Sequence, residues 1–427
     1  VSERTPIAGS DASSSTEKPA AGEHKFTPYQ WRLFVFLSVA TFFEGFDMFA
    51  LTQILPSLQA EWRLSKFEVG ALAAVTNFGT MLAYLLVRRA DRWGRRRVMS
   101  VTIAGYTITS LLTAAAQGPV SFALLQCLAR VFLIGEWATA MVYAAEEFPA
   151  TRRGSVVGII QAIASLGAIV CAGVVPLMLK TDLKWRTIYL VGAIPLVIVA
   201  FARRTLRESE RFEKVKAEGL ARPRGLFDIW KTPHKKRVIQ LALIWSFTYV
   251  CTQNTITFFK AFAIEERHWT DAQVGKAVSI AAVISLPLLF FVGRMLDWLG
   301  RRKGALVVYG SLVFGCLGAF TLRTHGLVVV SLVLAVFAQS AVLALLNAYT
   351  GELFPTEARG DAFAWANNLL GRVGYVLSPL ALGALAEVTG WGPAVASTTI
   401  FAAFALVFLW LWLPETKGKE LEETAKM

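Results

Sequence analysis

The sequence predicts an all-α membrane protein whose twelve transmembrane helices form two pseudo-symmetric six-helix bundles. Three observations point there: long uninterrupted apolar runs, basic clusters placed between those runs, and a set of motifs that repeats at one fixed offset. The chain has 427 residues, is 55% hydrophobic and has a mean hydropathy of +0.52. A soluble chain of this length would alternate polar and apolar faces. Here Val98 to Ala116, Leu183 to Ala202 after its charged start, and Thr389 to Leu413 each come near or exceed the ~20 residues that cross ~30 Å of hydrocarbon. Backbone groups in lipid must bond within their own segment, so these runs should be helices. Run length places the spans at about 31–56, 67–87, 98–116, 119–145, 154–179, 185–206, 237–262, 273–296, 304–323, 326–350, 360–387 and 391–413.

The net charge of +13 is concentrated. Arg88, Arg89, Arg92, Arg95, Arg96 and Arg97 share one short loop, a dozen Lys and Arg lie between Arg203 and Arg237, and Arg301, Arg302 and Lys303 form a third cluster. With the spans numbered as above, all three fall on one side, the pattern of cytoplasmic loops. This accounts for the charge better than nucleic-acid binding, which is not expected. An even number of spans then puts both termini in the cytoplasm of a chain set in the plasma (bacterial inner) membrane. No cleavable leader is read, because the first apolar run begins only near Trp31. Cys127, Cys171, Cys251 and Cys316 lie inside spans without metal or disulfide spacing, and four scattered histidines suggest no metal site.

The expected organisation is a polar, disordered cytosolic tail (1–25), a first bundle (26–206), a cytosolic linker (207–236), a second bundle (237–414) and a cytosolic tail (415–427). The halves repeat. An offset of 206 aligns Asp91, Gly94, Arg95 and Arg96 with Asp297, Gly300, Arg301 and Arg302. It also aligns Glu146, Phe148, Pro149, Arg153 and Gly154 with Glu352, Phe354, Pro355, Arg359 and Gly360. Because each copy carries six spans, the repeat keeps its membrane orientation, as in transporters that bind substrate between two parallel bundles near the midplane.

These residues carry a resemblance to the major facilitator superfamily. Gly293-Arg-Met-Leu-Asp297-Trp-Leu-Gly300-Arg301-Arg302 is similar to that family's GxxxDxxGRR loop, and the first-half copy matches from Asp91 through Arg92, Gly94, Arg95 and Arg96 but has Val87 for the leading Gly. Glu146-Glu-Phe-Pro149-Ala-Thr-Arg-Arg153-Gly154 resembles ExxPxxxRG, and Pro414-Glu415-Thr416-Lys417-Gly418-Lys-Glu-Leu421-Glu422-Glu423 resembles the PETKGxxLEE of sugar porters; Arg207-Glu208-Ser209-Glu210-Arg211 is a PESPR without its prolines. The resemblance implies the major facilitator fold, and a gating latch made by Asp91, Arg92, Gly94, Arg95, Arg96, Glu146 and Arg153 with Asp297, Gly300, Arg301, Arg302, Glu352 and Arg359. Glu44-Gly45-Phe46-Asp47 resembles the DGxD of aromatic-acid:proton symporters, and Gly135-Glu136-Trp137 resembles metabolite:proton symporters, whose helix-4 arginine would fall at Gln126, one turn before Arg130. The helix-5 GPxxGG of drug antiporters is absent, replaced by Ala172-Gly173-Val-Val-Pro176.

Ionisable groups at membrane depth cost about 2.5–3.5 kcal/mol on insertion scales, which makes them functional candidates. Glu44 and Asp47 lie three apart on one helix face and are the expected proton-coupling pair. Asn368, Arg372 and Tyr375 form a stripe suited to a carboxylate, which guanidinium binds through two bonds; pairing of Arg372 with Asp47 or Glu44 is the alternative. Gln161, Gln253, Asn347, Arg130 and Trp137 complete the expected substrate contacts. Thr257 and Lys260 share the Gln253 face, with Lys260 within snorkelling reach of the surface. Arg130 and Trp137 lie on one face of the fourth helix, while Glu136 points away from it and is expected to satisfy a neighbouring helix. The expectation is a monomeric secondary transporter, with no cofactor beyond a proton gradient, importing a small organic acid in symport with protons. A sugar or polyol symporter is the alternative within transport, and a non-transporting sensor or scaffold the alternative outside it. No nucleophile, base and orienting group cluster as an enzyme would require.

Overall fold

The computed structural model describes residues 26–202, 207–208 and 227–419; the expected tail at 1–25 and most of the linker lie outside the described residues. Six helices form the first half: α1 (Pro28–Trp62), α2 (Lys66–Trp93), α3 (Arg95–Ala114), α4 (Pro119–Glu147), α5 (Ala150–Met178) and α6 (Arg186–Ala202). A short 3-10 turn (Asp228–Lys231) precedes the second half, which has α7 (Lys235–Glu265), α8 (Asp271–Leu299), α9 (Arg301–Thr321) and α10 (His325–Glu352). The eleventh span is α11 (Thr356–Phe363) continued through a π-helical turn (Ala364–Leu369) into α12 (Arg372–Thr389). The twelfth is α13 (Trp391–Ser397) followed by α14 (Thr399–Trp412).

Nine of the described spans are long and apolar enough to cross a bilayer on those grounds alone. The other three are explicable. Helix α3 opens on three arginines, α6 is described over only 17 residues, and α7 carries Gln253, Asn254 and Lys260 among its threonines. Outward-facing side chains complete the case. Phe290, Phe314, Leu411 and Val388 are each at least 70% exposed. In water each would forgo about 1.5–3 kcal/mol of burial, a penalty that lipid removes.

The helices run past the apolar windows at both ends. Helix α1 continues beyond Pro56 to Trp62, where Arg63 closes it in the left-handed region at φ 52°. A proline costs less inside a membrane helix, since neighbouring groups take up the freed backbone bond.

The halves are built alike. In the first, α1 packs on α5, α2 on α4, and α3 on α4 and α6; in the second, α7 packs on α12, α8 on α10, and α9 on α10 and α14. Each pairing repeats in the same order, as a parallel duplication requires. The described basic segments at Arg95–Arg97 and Arg301–Lys303 and both ends of the described chain gather at one end of the molecule, here the basic end. The halves meet through α2 against α12 and α5 against α8.

That contact is tight at the far end. A Cβ on Gly383 of α12 would sit 2.6 Å from the Lys66 carbonyl oxygen and 3.1 Å from Gly70 Cα of α2. Gly275 of α8 lies equally close to α5, where a Cβ would be 2.6 Å from the Ala172 oxygen. Polar contacts bridge the halves at this end too: Phe67 N donates to Glu387 Oε1 (2.8 Å), and Lys66 Nζ lies 3.9 Å from Glu265 Oε2. Toward the basic end, Gly158 of α5 and Gly293 of α8 have no atom within 4 Å of an added Cβ. The halves are therefore closed on each other at the far end, and the α5–α8 seam is parted toward the basic end.

Overpacking costs about 1–3 kcal/mol, so Gly383→Val should disfavour the closed far end by about 5- to 150-fold. Spin labels on exposed Asp182 and Arg323, in far-end loops of opposite halves, should report longer distances in Gly383→Val than in the parent. An unchanged distance distribution would show that the Gly70–Gly383 contact does not govern closure.

Candidate functional site

A cavity of about 290 Å³ lies between the halves. Helix α1 offers it Gly45, Met48, Phe49, Thr52 and Gln53; α5 offers Ala164, Ser165 and Ala168; α7 offers Gln253, Phe259 and Lys260; α8 and α10 close it with Ser285, Val336, Gln339 and Ser340. Small side chains on α1 and α5 let those helices touch, and the space they leave faces the second half. The wall is mostly apolar with amides at intervals, the usual make-up of a small-molecule site. Gln253 Nε2 donates to Thr257 (3.0 Å), and the buried Gln53 keeps Oε1 without a partner. Lys260 is the one cation among the lining residues, and none of them is a carboxylate. It does not snorkel: it is 1% exposed and pairs with Asp271 Oδ1 at 2.5 Å.

Of the expected substrate contacts, only Gln253 lines this cavity. Gln161 lies one turn nearer the basic end on the α5 stripe of Ala164 and Ala168, and Asn347 prolongs the α10 stripe of Val336 and Ser340, where it is exposed. Both flank the parted side.

The acids of α1 point elsewhere. Asp47 is 7% exposed and lines a small void with Tyr106, Ser110 and Tyr189, inside the first bundle. Arg130 acts electrostatically on both Glu44 and Asp47, and Glu136 acts on Glu44. The buried Arg130 guanidinium reaches α1 at Met48, donating from Nη2 to its carbonyl oxygen (3.4 Å) and from Nη1 to its sulfur. Asp47 keeps Oδ2 without a hydrogen-bond partner. Glu136 accepts from Thr102 Oγ1 of α3 (2.6 Å), so it does satisfy a neighbouring helix. Gln126, where the family arginine would stand, donates to Thr113 Oγ1 (3.1 Å). Trp137 is half-buried on α4, away from the cavity.

The eleventh span holds a second polar cluster. Its π turn closes one residue later than an α-helical turn, and Leu370 N bonds the Trp365 carbonyl five residues back (3.0 Å). In consequence Asn367, not Asn368, meets Tyr249, whose hydroxyl donates to Asn367 Oδ1 (2.8 Å). Arg372 lies over the Tyr375 ring (5.7 Å) with Nε unpartnered, and Tyr375 packs edge-on against Tyr249 (5.4 Å). Asn77 of the first half donates to the Tyr375 carbonyl (3.3 Å), which sets this cluster on the seam between halves. Sequence reasoning missed Tyr249, Asn367 and Asn77. A π turn leaves no mark in apolar periodicity, so only contact across the seam reveals them.

At the basic end the repeated motifs make one device twice. Arg95 Nη2 meets Glu146 Oε1 (3.1 Å), and its counterpart Arg301 Nη2 meets Glu352 Oε1 (2.7 Å). Arg301 also holds Asp297 (2.8 Å). The side chains of Asp91, Arg92 and Arg153 lie outside the described residues. Arg359 donates to the Phe354 carbonyl (3.4 Å), and Arg302 donates to those of Leu413 and Trp410. Gly94 and Gly300 enter α3 and α9 at φ 93° and 84°, a region costly for any side chain. Just beyond each, a carboxylate caps the exposed N–H groups: Glu208 accepts from Arg95 N and Arg96 N, and Glu415 from Arg301 N and Arg302 N (2.8 and 2.9 Å). Glu415 of the tail motif therefore works as a helix cap. Among the described ion pairs at this end, none joins the halves.

A model of the Major Facilitator Superfamily matches residues 37–372 and 251–426. The chain belongs to that superfamily. Among its members, the probable 4-methylmuconolactone transporter of Cupriavidus pinatubonensis is 26% identical over 388 residues, with 89% of each chain covered. The cis,cis-muconate transport protein of Acinetobacter baylyi is 27% identical (88% of this chain, 91% of that one), and the gallate transporter of Pseudomonas putida 26% (84% and 86%). In fold, the major facilitator chain resembles the partially occluded inward-open xylose transporter XylE from E. coli, with a TM-score of 0.74, 18% identity and coverage of 92% and 100%. It is a transporter and not an enzyme.

Burial opposes the charge on Glu415, but the backbone N–H groups of Arg302, Arg301, Lys417 and Thr416 outweigh it and hold the carboxyl below the usual glutamate range. A lowered pKa stabilises fully above the unfolded-chain value, and that contribution is lost as pH falls through the folded one. Glu415→Gln should cost about 0.5–1 kcal/mol at neutral pH, the lower part of the capping range because the group is part-exposed. The melting-temperature gap between the parent and Glu415→Gln should close on acidification below the ordinary glutamate range. A gap constant with pH would exclude the charged cap.

Proposed function

We propose that this transporter imports a small organic acid together with protons, by alternating access between its two bundles. The observation that carries the reading is the cavity between the halves, whose lining has one buried cation, Lys260, held by Asp271 from outside the lining, together with amide donors and apolar walls. The relatives named for gallate and cis,cis-muconate support the substrate class. In an inner membrane with both termini cytoplasmic, the basic end faces the cytoplasm and the far end the outside, so the closed far end corresponds to an inward-open stage.

Energetics favour coupling. Drawing a monoanion inward costs about 2.3 kcal/mol per 100 mV of inside-negative potential, and a proton carried with it removes that cost. Glu44 and Asp47 serve as the proton site. They lie off the cavity but share Arg130, so neutralising either acid changes how that cation is held against α1. Arg372, Tyr375 and Asn367, which takes the place expected of Asn368, act at the seam beside the cavity, and Gln161 and Asn347 line the route to the basic end. The amides Gln53, Gln253 and Gln339 would also suit hydroxyls, which keeps a sugar or polyol symporter as the second reading.

The test is solute-induced proton movement into liposomes holding the purified chain, read by an internal pH dye, with carboxylate and sugar pools offered separately. Carboxylates should acidify the lumen and sugars should not. Asp47→Asn should abolish uphill accumulation while sparing counterflow exchange. Accumulation by Asp47→Asn at the parental level would remove Asp47 from coupling, and acidification by sugars alone would establish the second reading.

A further inference from the structure

Lys260 occupies an unusual position. It lines the central cavity, is 1% exposed, and its one ion pair among the described residues is with Asp271, the first residue of α8. A buried ammonium without a partner is expensive, so any conformation that keeps Lys260 dry must give it an anion. Asp271 is well placed to supply one and well placed to withdraw. Its side chain is 44% exposed at the far end, and the capping bonds at the α8 start are made by Thr270 and Gln273 without it. One turn further along α8, Gly275 makes the close contact with Ala172 and Pro176 of α5 that shuts the far end between the halves.

We infer that Asp271 is an internal stand-in for the substrate's carboxylate. With the far end open, a substrate carboxylate takes Lys260 and Asp271 turns to water. With the far end closed and the cavity parted toward the basic end, Asp271 reclaims Lys260, and the substrate leaves without abandoning a buried charge. The exchange is of non-covalent partners only, so total charge is conserved: one anion replaces another on the same ammonium. Lys260 is then the residue that discriminates acids from neutral analogues, and Asp271 sets how readily a bound acid is released. This inference rests on the reading of the cavity as an anion site.

The experiment compares the parent chain with Asp271→Asn, Asp271→Glu and Lys260→Met. Equilibrium binding of benzoate, gallate and cis,cis-muconate, with benzamide as a neutral isostere of benzoate, is measured on each purified protein, and counterflow of any acid that binds is measured in liposomes. Loss of the competing carboxylate should tighten acid binding in Asp271→Asn by about tenfold, one ordinary ion pair's worth, and should slow counterflow turnover. Asp271→Glu should restore parental behaviour, and Lys260→Met should bind acid and amide alike. Unchanged or weaker acid binding by Asp271→Asn, in a setting where the parent binds acid, would overturn the exchange and leave the anion reading standing. A parent chain that binds none of the acids, or binds benzamide as well as benzoate, would overturn both.

Discussion

Hydrocarbon offers no partner to a backbone N–H, a carboxylate or an ammonium, and most of this molecule is a response to that fact. It forces every span into a helix and turns large apolar side chains outward. It also gathers the remaining polar groups into a few places where they satisfy one another. Those places are the Arg130 cluster inside the first bundle, the Tyr249–Asn367–Arg372 cluster on the seam, Lys260 with Asp271 beside the cavity, and the capped loops at the basic end. Each joins helices that apolar packing alone would leave free to slide.

The same constraint decides how the halves can move. Within a bundle, helices are held by ion pairs such as Arg95–Glu146 and Arg301–Glu352, both largely shielded from solvent. Between bundles, the far end is closed chiefly by glycine-to-backbone contact and a few partly exposed polar bonds. Exposed pairs of that kind contribute about 0–1 kcal/mol each. Two stiff bodies joined by a weak seam are suited to rocking, because separation at one end breaks little while distortion within a body breaks much.

Much of this was legible in the sequence. Apolar run length located most of the spans, nine of them on length and apolarity alone, and the 206-residue offset disclosed the duplication before any helix was placed. What stayed hidden has physical reasons. Asp47 and Glu44 share a helix face as expected, but which neighbour that face meets depends on packing, and it meets α3, α4 and α6 instead of the cavity. Lys260 looked free to reach the surface because its partner, Asp271, lies across a turn whose geometry no spacing rule gives. Glu415 sits in a motif shared with sugar porters, yet its carboxylate is spent on the first turn of α9.

The π turn in the eleventh span has one more consequence. The two copies stay 206 residues apart through Trp185 and Trp391, so the turn at Ala364–Leu369 leaves the overall register of the repeat intact. A π turn closes its bonds one residue later than an α-helix, and the counterpart helix α5 runs as α-helix from Ala150 to Met178. A duplicated molecule begins with two interchangeable arms, and interchangeable arms cannot divide labour. A turn closed one residue later swings the side chains that follow it around the helix axis. The eleventh span thereby shows the seam a face that the fifth, its twin, does not possess.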